Sequence, residues 1–377
     1  FYAKSFEFDY YNFEISSDKI DEMVIFTEDL SGRKGLVAVK STIRDINGTL
    51  EIDKSTNKSG LERFPEYPRF TSKKGAKIAY DKKTIHGGAY DKERFYFEVD
   101  PFTIENMDNF TTAELSFPGT FVSAGIIPEF RYEAKIMDDY SLGFEKPATT
   151  YPMYGTKGEG NIAIKLSEEG FTASGSIDYE GAVLESSDIL MTPDYTMAAA
   201  ETYSIQENLR YPNVTATDVM TKWVPANDSM YINTNGHTVQ VLRDNQQFQG
   251  NLVQTNTQLS GNGVLTWENA KLTSADMKYK PNKVDAQESA IEIGAISSDK
   301  IAFASTNMES HVDFTTRIGE FKANEKGNLT DFPFNSYASS MDEYTWDMDA
   351  QTIELNKGPL LDKEKSYFVS KNYEQGG

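Results

Sequence analysis

The sequence predicts an all-β protein, organised as an elongated stack of repeated β-hairpins in the manner of a β-solenoid. Three observations lead to this fold class: short segments in which apolar and polar residues alternate, turn-forming residues between them, and an internal repeat. A stack of this kind forms either one continuous unit or two or three separate β modules.

Alternation of apolar and polar residues with a period of two is typical of a half-buried strand. Turn-forming pairs such as Asn47-Gly48 and Asn235-Gly236 favour hairpin connections. Residues 196–207 contain three consecutive alanines and look helical, but their repeat partner ends in an alternating segment, so we expect a strand in both copies. The alternating segments are residues 6–8, 50–52, 95–99, 162–164, 239–241 and 291–293.

The internal repeat relates residues 175–205 to residues 263–293 without a gap, at a constant offset of 88 (263 minus 175). Nine of the 31 aligned positions are identical, and Tyr179 aligns with Trp267. Repeated units of this length stabilise one another by burying each other's apolar faces, so the repeat favours a stacked β architecture. Chance similarity between two β-rich segments is the alternative.

The sequence suggests three regions. Residues 1–140 form an N-terminal β region, residues 141–310 a repeat-bearing β region, and residues 311–377 a C-terminal hairpin region. The stretch 143–160 is rich in Gly, Pro and Thr and is typical of a connection. Because the chain begins at Phe1, we interpret it as a mature or excised segment whose open sheet edges would be covered by flanking repeats of a longer chain.

The composition narrows the range of partners. The formal net charge of −21 and the pI near 4.6 disfavour binding to nucleic acid or to anionic lipid head groups. No apolar run reaches 18 residues, so we expect no transmembrane helix. The absence of cysteine excludes disulfides, cysteine nucleophiles and thiolate metal sites. Aromatic residues make up 12% of the chain, which is typical of a folded protein.

No motif in the sequence identifies an enzyme. His86, His237 and His311 are isolated from one another, and the spacings of zinc proteases, serine hydrolases and nucleotide-binding loops are absent. Paired carboxylates are abundant in a chain with 58 acidic residues, so they do not identify a glycosidase. We therefore assign no catalytic residue, no cofactor-binding residue and no metal ligand.

Calcium is the one cofactor that the sequence leaves open. Asp45, Asn47 and Asp53 have a loop-like spacing of oxygen donors, but the complete calcium-loop pattern is missing. A hairpin turn at Asn47-Gly48 is the simpler interpretation.

A loop or edge segment is the favoured contact surface. Two prolines at positions 65 and 68 prevent a central strand there, so we expect the neighbouring aromatic residues to be exposed. Tyr179 and Trp267 offer a second possibility, a stacking platform for sugars, although aromatic residues at alternating strand positions more often fill the core. The predicted contact residues are Phe64, Tyr67, Arg69 and Phe70.

The pattern at residues 263–279, followed by a turn and Val284-Asp285-Ala286, resembles the repeating unit of the OstA-type lipopolysaccharide-transport proteins. Residues 50–72 and 115–130 resemble segments of large uncharacterised envelope proteins of Bacteroidota-type bacteria. The first resemblance implies an open β-jellyroll with an apolar interior that carries lipid, and both imply a location in the bacterial periplasm, on the outer membrane surface or outside the cell. The groove would be lined by the repeat-equivalent pairs Leu184 and Leu272, Ile189 and Met277, and Ile205 and Ile293.

These observations favour a non-enzymatic structural or binding component of the bacterial cell envelope or exterior, as a segment of a larger repeat protein. Its partner would be an envelope protein, a lipid or a glycan. One alternative is a lipid or glycolipid transport groove. The other is a polysaccharide-processing enzyme on a β-solenoid, which requires a cleft that gathers Arg, Lys, Tyr and carboxylates from adjacent strands.

Overall fold

A computed structural model describes residues 1–108, 111–112, 115–243, 245–296, 298–359 and 365–371. Within these ranges the regular structure is β-strand, with short 3-10 turns such as Pro225–Asn227 and Pro333–Asn335. The prediction of an all-β chain built from successive antiparallel hairpins is confirmed.

The strands that precede the first repeat copy are β1 (Tyr2–Ala3), β2 (Glu7–Asp9), β3 (Glu14–Met23), β4 (Phe26–Glu28), β5 (Leu36–Ala38), β6 (Ile43–Glu51), β7 (Arg69–Ser72), β8 (Ala76–Ala79), β9 (Phe95–Val99), β10 (Phe102–Ile104), β11 (Ser116–Ser123), β12 (Phe130–Ile136), β13 (Leu142–Met153) and β14 (Gly158–Ser167). The first repeat copy comprises β15 (Gly170–Tyr179), β16 (Ala182–Met191) and β17 (Thr196–Ile205).

The strands between the two repeat copies are β18 (Val214–Val224), β19 (Ser229–Asn233), β20 (Val239–Val241) and β21 (Gln247–Thr255). The second copy comprises β22 (Leu259–Trp267), β23 (Ala270–Lys280) and β24 (Lys283–Gly294). The remaining strands are β25 (Ile301–Asp313), β26 (Ile318–Ala323), β27 (Thr330–Phe332), β28 (Tyr337–Ser339), β29 (Glu343–Asp347), β30 (Thr352–Asn356) and β31 (Phe368–Ser370).

The chain divides into two compact units. Unit 1 comprises Phe1–Ile177 and Asp188–Thr196, and unit 2 comprises Asp178–Ser187 and Met197–Gly377. The division therefore falls within the predicted repeat-bearing region, inside the hairpins of the first repeat copy.

Unit 1 is a run of antiparallel strands. β3 pairs with β1 and β2 along one side and with β6 along the other, and β6 pairs in turn with β7 and β8. From β8 the order continues through β9, β11, β12, β13 and β14, while β10 pairs with β7. Phenylalanine rings fill much of the interior: Phe121 lies 5.1 Å from both Phe144 and Phe171, measured between ring centroids.

Unit 2 continues the same construction. Its main ladder runs β18, β19, β21, β22, β23, β24, β25, β26, β29 and β30, with every neighbouring pair antiparallel. β20 pairs with both β18 and β21. β27 pairs with β25, β28 pairs with β27, and β31 pairs with β28. The buried rings of Trp267 and Trp346 lie 6.1 Å apart in this core.

The two repeat copies have matching strands. β15 and β22 end at the aligned residues Tyr179 and Trp267, and β16 and β23 begin at the aligned residues Ala182 and Ala270. The first nine residues of β16 and β23 alternate between buried and exposed positions in nearly the same order. The strand expected within residues 196–207 is present as β17. Both aromatic residues of the aligned pair are buried, in agreement with the core interpretation.

One predicted hairpin turn is wrong. Asn47 and Gly48 lie inside the strand β6, where Gly48 pairs with Ser17 of β3. Tertiary packing explains the difference: a Cβ atom at Gly48 would lie 2.7 Å from the backbone oxygen of Thr71 and closer still to the Phe70 ring. Glycine is needed here for a close approach of two strands rather than for a turn.

The described residues include no helix long and apolar enough to cross a membrane.

Candidate functional site

An apolar row of side chains crosses four strands near the start of unit 1. Cross-strand pairing places Phe8 of β2 opposite Ile15 of β3, Ile15 opposite Leu50 of β6, and Leu50 opposite Phe70 of β7. Directly opposed residues of antiparallel strands share a face of the sheet, so these four side chains form one continuous strip.

Burial is greatest at the β7 end of this strip and least at the β2 end. Phe70 is 1% exposed, Leu50 and Ile15 are half-buried, and Phe8 is 52% exposed. Phe6, two residues before Phe8, is 50% exposed. The strip therefore begins in the core and ends in rings that are half open to water. Half-exposed aromatic rings that adjoin a core are a common feature of binding surfaces.

Phe1 and Gly48 complete the shape of this surface. The Phe1 ring lies 4.7 Å from the Phe70 ring, tilted by 35°, and covers the inner end of the strip. Gly48 has no side chain, which lets the Phe70 ring lie against the backbone of β6. Gly48 thus forms the floor of this surface, and the rings of Phe1 and Phe70 lie beside it.

The result is an open cavity of about 360 Å³, which we call the aromatic cleft. Its volume lies in the range of pockets that take small ligands, and its lining contains one hydroxyl group and no ionisable side chain. The cleft is lined by Phe1, Phe6, Phe8, Ile15, Ser17, Ile20, Gly48, Leu50 and Phe70.

A second cavity adjoins the aromatic cleft where the edge of the sheet is interrupted. The register of the pairing between β3 and β6 shifts between Ser17 and Ile20. On the other side of β3, residues 4–6 connect β1 to β2 and belong to neither strand. A bulge of this kind bends a strand and removes local pairing. The Ser17 hydroxyl donates to the backbone oxygen of Ser5 at 2.9 Å and holds the two segments together.

This second cavity, which we call the polar pocket, has a volume of about 510 Å³. It shares Phe6 and Ser17 with the aromatic cleft, but its other side chains are mostly charged or hydroxylated. The polar pocket is lined by Lys4, Ser5, Phe6, Glu7, Ser16, Ser17, Asp18, Lys19 and Asp21.

A separate cleft lies between β12 and β13. The two strands pair only at Lys135 with Gly143 and at Ile136 with Leu142, and then diverge to leave a cavity of about 590 Å³. The Tyr132 hydroxyl donates to the backbone oxygen of Glu145 across the gap at 3.0 Å. Lys135 thus shares this cavity with an aromatic ring and with carboxylates from both strands.

Glu133 is the best-defined acid of that cleft. Its carboxylate lies 3.2 Å from the Lys135 ammonium and accepts a hydrogen bond from the Ser116 hydroxyl at 3.1 Å. These two hydrogen bonds lower the pKa of Glu133 below its ordinary value. A glycosidase acid needs a raised pKa instead, so Glu133 is poorly suited to donate a proton near neutral pH.

The predicted contact surface is only partly accessible. Phe64 and Tyr67 are half-buried, and the Lys54 ammonium lies 3.5 Å from the centre of the Phe64 ring. Arg69 binds Glu51 through two hydrogen bonds of 2.6 and 2.8 Å, and these bonds raise the pKa of its guanidinium despite partial burial. Phe70 is a core residue, which corrects the prediction that it lies on a loop or edge.

The reason for this correction is the position of β7. Although Pro65 and Pro68 do lie outside the strands, β7 begins immediately after them at Arg69 and pairs with β6 on one side and β10 on the other. The prolines therefore end the loop but do not keep the following two residues out of a central strand.

The six residues predicted to line a groove are core residues. Each is between 0 and 4% exposed, because the alternating positions they occupy face the interiors of the two units. In this structure they do not line an open trough. The residues are Leu184, Ile189, Ile205, Leu272, Met277 and Ile293.

The residues considered for calcium do not converge on a loop. Asp45 and Asn47 lie on β6, where the Asn47 side-chain oxygen accepts a hydrogen bond from the backbone nitrogen of Lys74. Asp53 instead accepts a hydrogen bond from the Asn57 side chain at 2.7 Å. Across the described ranges no group of three or more His, Cys, Asp or Glu side chains is placed to hold a metal ion.

The aromatic cleft was not predicted from the sequence as a site. The alternation at residues 6–8 predicts a strand, but alternation alone does not reveal that one face of that strand stays uncovered. A signal was available in the first thirteen residues, FYAKSFEFDYYNF, which contain seven aromatic side chains. They are Phe1, Tyr2, Phe6, Phe8, Tyr10, Tyr11 and Phe13.

Comparison of the chain with protein-family models, with curated proteins and with solved structures finds no match.

Proposed function

We propose that this protein is a non-enzymatic binding component of the bacterial cell envelope or exterior, and that the aromatic cleft is its ligand-binding site. The observation that carries the proposal is the combination of half-exposed Phe6 and Phe8 rings with a preformed apolar cavity beside them. A ligand that covered these rings would remove apolar surface from water without a large rearrangement of the sheet.

The chemistry of the lining favours binding over turnover. General acid–base catalysis needs a titratable side chain within hydrogen-bonding reach of the reacting atoms. The side chains of the aromatic cleft offer only the Ser17 hydroxyl, and that group already donates to Ser5. The location in the envelope rests on the sequence resemblance alone, and immunodetection in fractionated source cells tests it separately.

A neutral fluorescent probe tests the binding site. N-phenyl-1-naphthylamine carries no charge and becomes fluorescent in apolar surroundings, so its titration reports on the cleft without interference from the acidic surface. We expect saturable binding to the wild-type protein. The double variant Phe6→Ala/Phe8→Ala removes two half-exposed rings, so the probe should bind at least about tenfold more weakly, a loss of about 1.4 kcal/mol.

A matched control comes from unit 2. Phe334 and Tyr337 are each 46% exposed, so Phe334→Ala/Tyr337→Ala removes a similar amount of exposed aromatic surface elsewhere. We expect this variant to bind the probe like the wild type. Equal probe affinity in the two double variants, both with the far-ultraviolet spectrum of the wild type, would overturn the proposal, as would a wild-type protein that shows no saturable binding.

A polysaccharide-processing enzyme is the second candidate, favoured by the cleft between β12 and β13. Tyr132, Lys135 and the carboxylates of Glu133 and Glu145 gather there, so the lining has the residue types that this alternative requires except arginine. A reducing-end assay on a panel of polysaccharides tests it. Turnover that is lost in Glu133→Gln or Glu145→Gln would establish this candidate, whereas the lowered pKa of Glu133 leads us to expect no turnover.

A further inference from the structure

We infer that the ligand of the aromatic cleft is a single-chain amphiphile whose head group is uncharged and rich in hydroxyl groups. The inference rests on the proposed function, because it names the ligand class of the same site. Its basis is the contact between two cavities of opposite character, the aromatic cleft and the polar pocket, which share Phe6 and Ser17.

The aromatic cleft accepts hydrocarbon rather than a polar group. Apart from Ser17, its side chains offer no hydrogen-bonding partner, and the Ser17 hydroxyl donates to Ser5. A sugar ring or peptide placed there would lose its hydrogen bonds to water without replacement, which costs free energy. At about 360 Å³ the cavity lies near the lower end of ligand-pocket volumes, which fits one alkyl chain better than several.

The polar pocket lies where the other end of such a ligand would emerge. Residues 4–6 leave the sheet edge opposite the bulge that carries Asp18 and Lys19, and both of those residues are exposed. The hydrogen bond from Ser17 to Ser5 fixes the boundary between the cavities. An alkyl chain in the aromatic cleft therefore places its head group among charged and hydroxylated side chains.

The mixture of charges selects the head group. Two ammonium groups, Lys4 and Lys19, stand beside three carboxylates, Glu7, Asp18 and Asp21. Hydroxyl groups both donate and accept, so a polyhydroxylated head can bond to both kinds of side chain. An anionic head would meet the three carboxylates and the net charge of −21, and a quaternary ammonium head would meet the two lysines and could donate no hydrogen bond.

Isothermal titration calorimetry with four probes tests the inference. Decyl maltoside below its micelle concentration carries the inferred head group, decanoate and decyltrimethylammonium carry charged heads on chains of similar length, and maltose has no chain. We expect decyl maltoside to bind about tenfold more tightly than either charged amphiphile, and maltose to bind without measurable affinity.

A charge-neutral variant tests the role of the polar pocket. Asp18→Asn/Lys19→Gln removes one charge of each sign and keeps the net charge, so general electrostatic effects cancel. We expect it to weaken decyl maltoside binding by about tenfold and to leave the affinity for N-phenyl-1-naphthylamine unchanged.

The chain supplies its own control for this variant. The hexapeptide ISSDKI occurs at residues 15–20 and again at residues 296–301, so Asp299→Asn/Lys300→Gln makes the same change in the same local sequence at residues that do not line the aromatic cleft or the polar pocket. This control should bind decyl maltoside like the wild type.

The outcomes separate the inference from the function on which it rests. The ligand class is wrong, and the binding site stands, if N-phenyl-1-naphthylamine binds but decyl maltoside binds no more tightly than the charged amphiphiles. The same conclusion follows if N-phenyl-1-naphthylamine binds and the two charge-neutral variants bind decyl maltoside with equal affinity. If the neutral probe does not bind at all, both proposals fail.

Discussion

Ser186 and Ser274, 88 residues apart in the chain (274 minus 186), make the same kind of partly buried hydrogen bond. The Ser186 hydroxyl donates to the backbone oxygen of Ala199 at 2.7 Å, and the Ser274 hydroxyl donates to the backbone oxygen of Glu288 at 2.6 Å. Ser186 is 4% exposed and Ser274 is 7% exposed. Both repeat copies therefore use a buried serine at this position to bind the adjacent strand.

The variants Ser186→Ala and Ser274→Ala should each lower the free energy of unfolding by about 1 kcal/mol, because each removes the hydrogen bond that a buried serine makes to the adjacent strand. Chemical denaturation measures this. Ser187→Ala is the control: its hydroxyl is exposed and bonds to Glu201, so its removal should cost less than about 0.5 kcal/mol. Equal losses in all three variants would contradict a shared role for the buried serines.

Replacement of Phe70 tests its position in the core. Phe70→Ala should destabilise the protein by about 3–5 kcal/mol, because it removes a fully buried ring that packs against Phe1 and Phe102. Tyr67→Ala removes a half-buried ring whose main charged neighbour is Arg69, so about 1 kcal/mol should be lost. Thermal unfolding of both variants measures the difference, and a small effect at Phe70 would mean that its ring lies on an accessible surface.

Gly48→Ala tests the floor of the aromatic cleft. The added methyl group would meet the Phe70 ring and the backbone oxygen of Thr71, so we expect a loss of about 1–3 kcal/mol in unfolding free energy. Gly294→Ala is a milder comparison, because its Cβ would approach no atom closer than 3.2 Å. If the two variants were equally stable, Phe70 would not lie against β6 as described.

A pH dependence is expected from His311. Its Nδ1 atom lies 2.9 Å from the Asp285 carboxylate and its Nε2 atom 3.4 Å from the Glu309 carboxylate. The hydrogen bond to Asp285 raises the pKa of His311 above 6.5, although partial burial opposes the change. For Asp285, burial acts to raise the pKa, but hydrogen bonds from His311 and Lys280 outweigh it and lower the pKa, so this carboxylate titrates in a more acidic range.

The direction of the pH dependence of stability follows from the raised pKa of His311. The folded protein binds the His311 proton more tightly than the unfolded chain, so the stabilisation is complete below the unfolded pKa and is lost as pH rises through the folded value. Between pH about 6 and about 8 the wild type should therefore lose stability relative to His311→Gln. Proton magnetic resonance of the three histidines gives the pKa directly, and a value below 6.5 for His311 would contradict the ion pair.

Much of the fold was predictable because alternation in the sequence reflects the two faces of a strand. The segment 95–99 coincides with β9, and the segment 239–241 coincides with β20. The prediction of a turn at Asn47-Gly48 was wrong because the Phe70 ring leaves no space for a side chain at position 48. Phe70 is 22 residues away in the chain (70 minus 48), so no local pattern reveals this contact.

The candidate site was less predictable than the fold. The sequence places Phe6 and Phe8 on one face of a strand, but whether that face is covered depends on which strands pair beyond it. The polar pocket likewise depends on a bulge at Ser17, which has no distinctive residue in the sequence. Both features arise from pairing between segments, whereas the strand pattern arises within each segment.

Photolabelling with a neutral alkyl diazirine tests the central claim most directly. On irradiation the probe forms covalent adducts with the side chains around it, and proteolysis with mass spectrometry locates them. We expect adducts concentrated on residues 1–20 and 43–70, with labelling of those peptides reduced in Phe6→Ala/Phe8→Ala. Adducts concentrated on unit 2, or spread evenly along the chain, would contradict it.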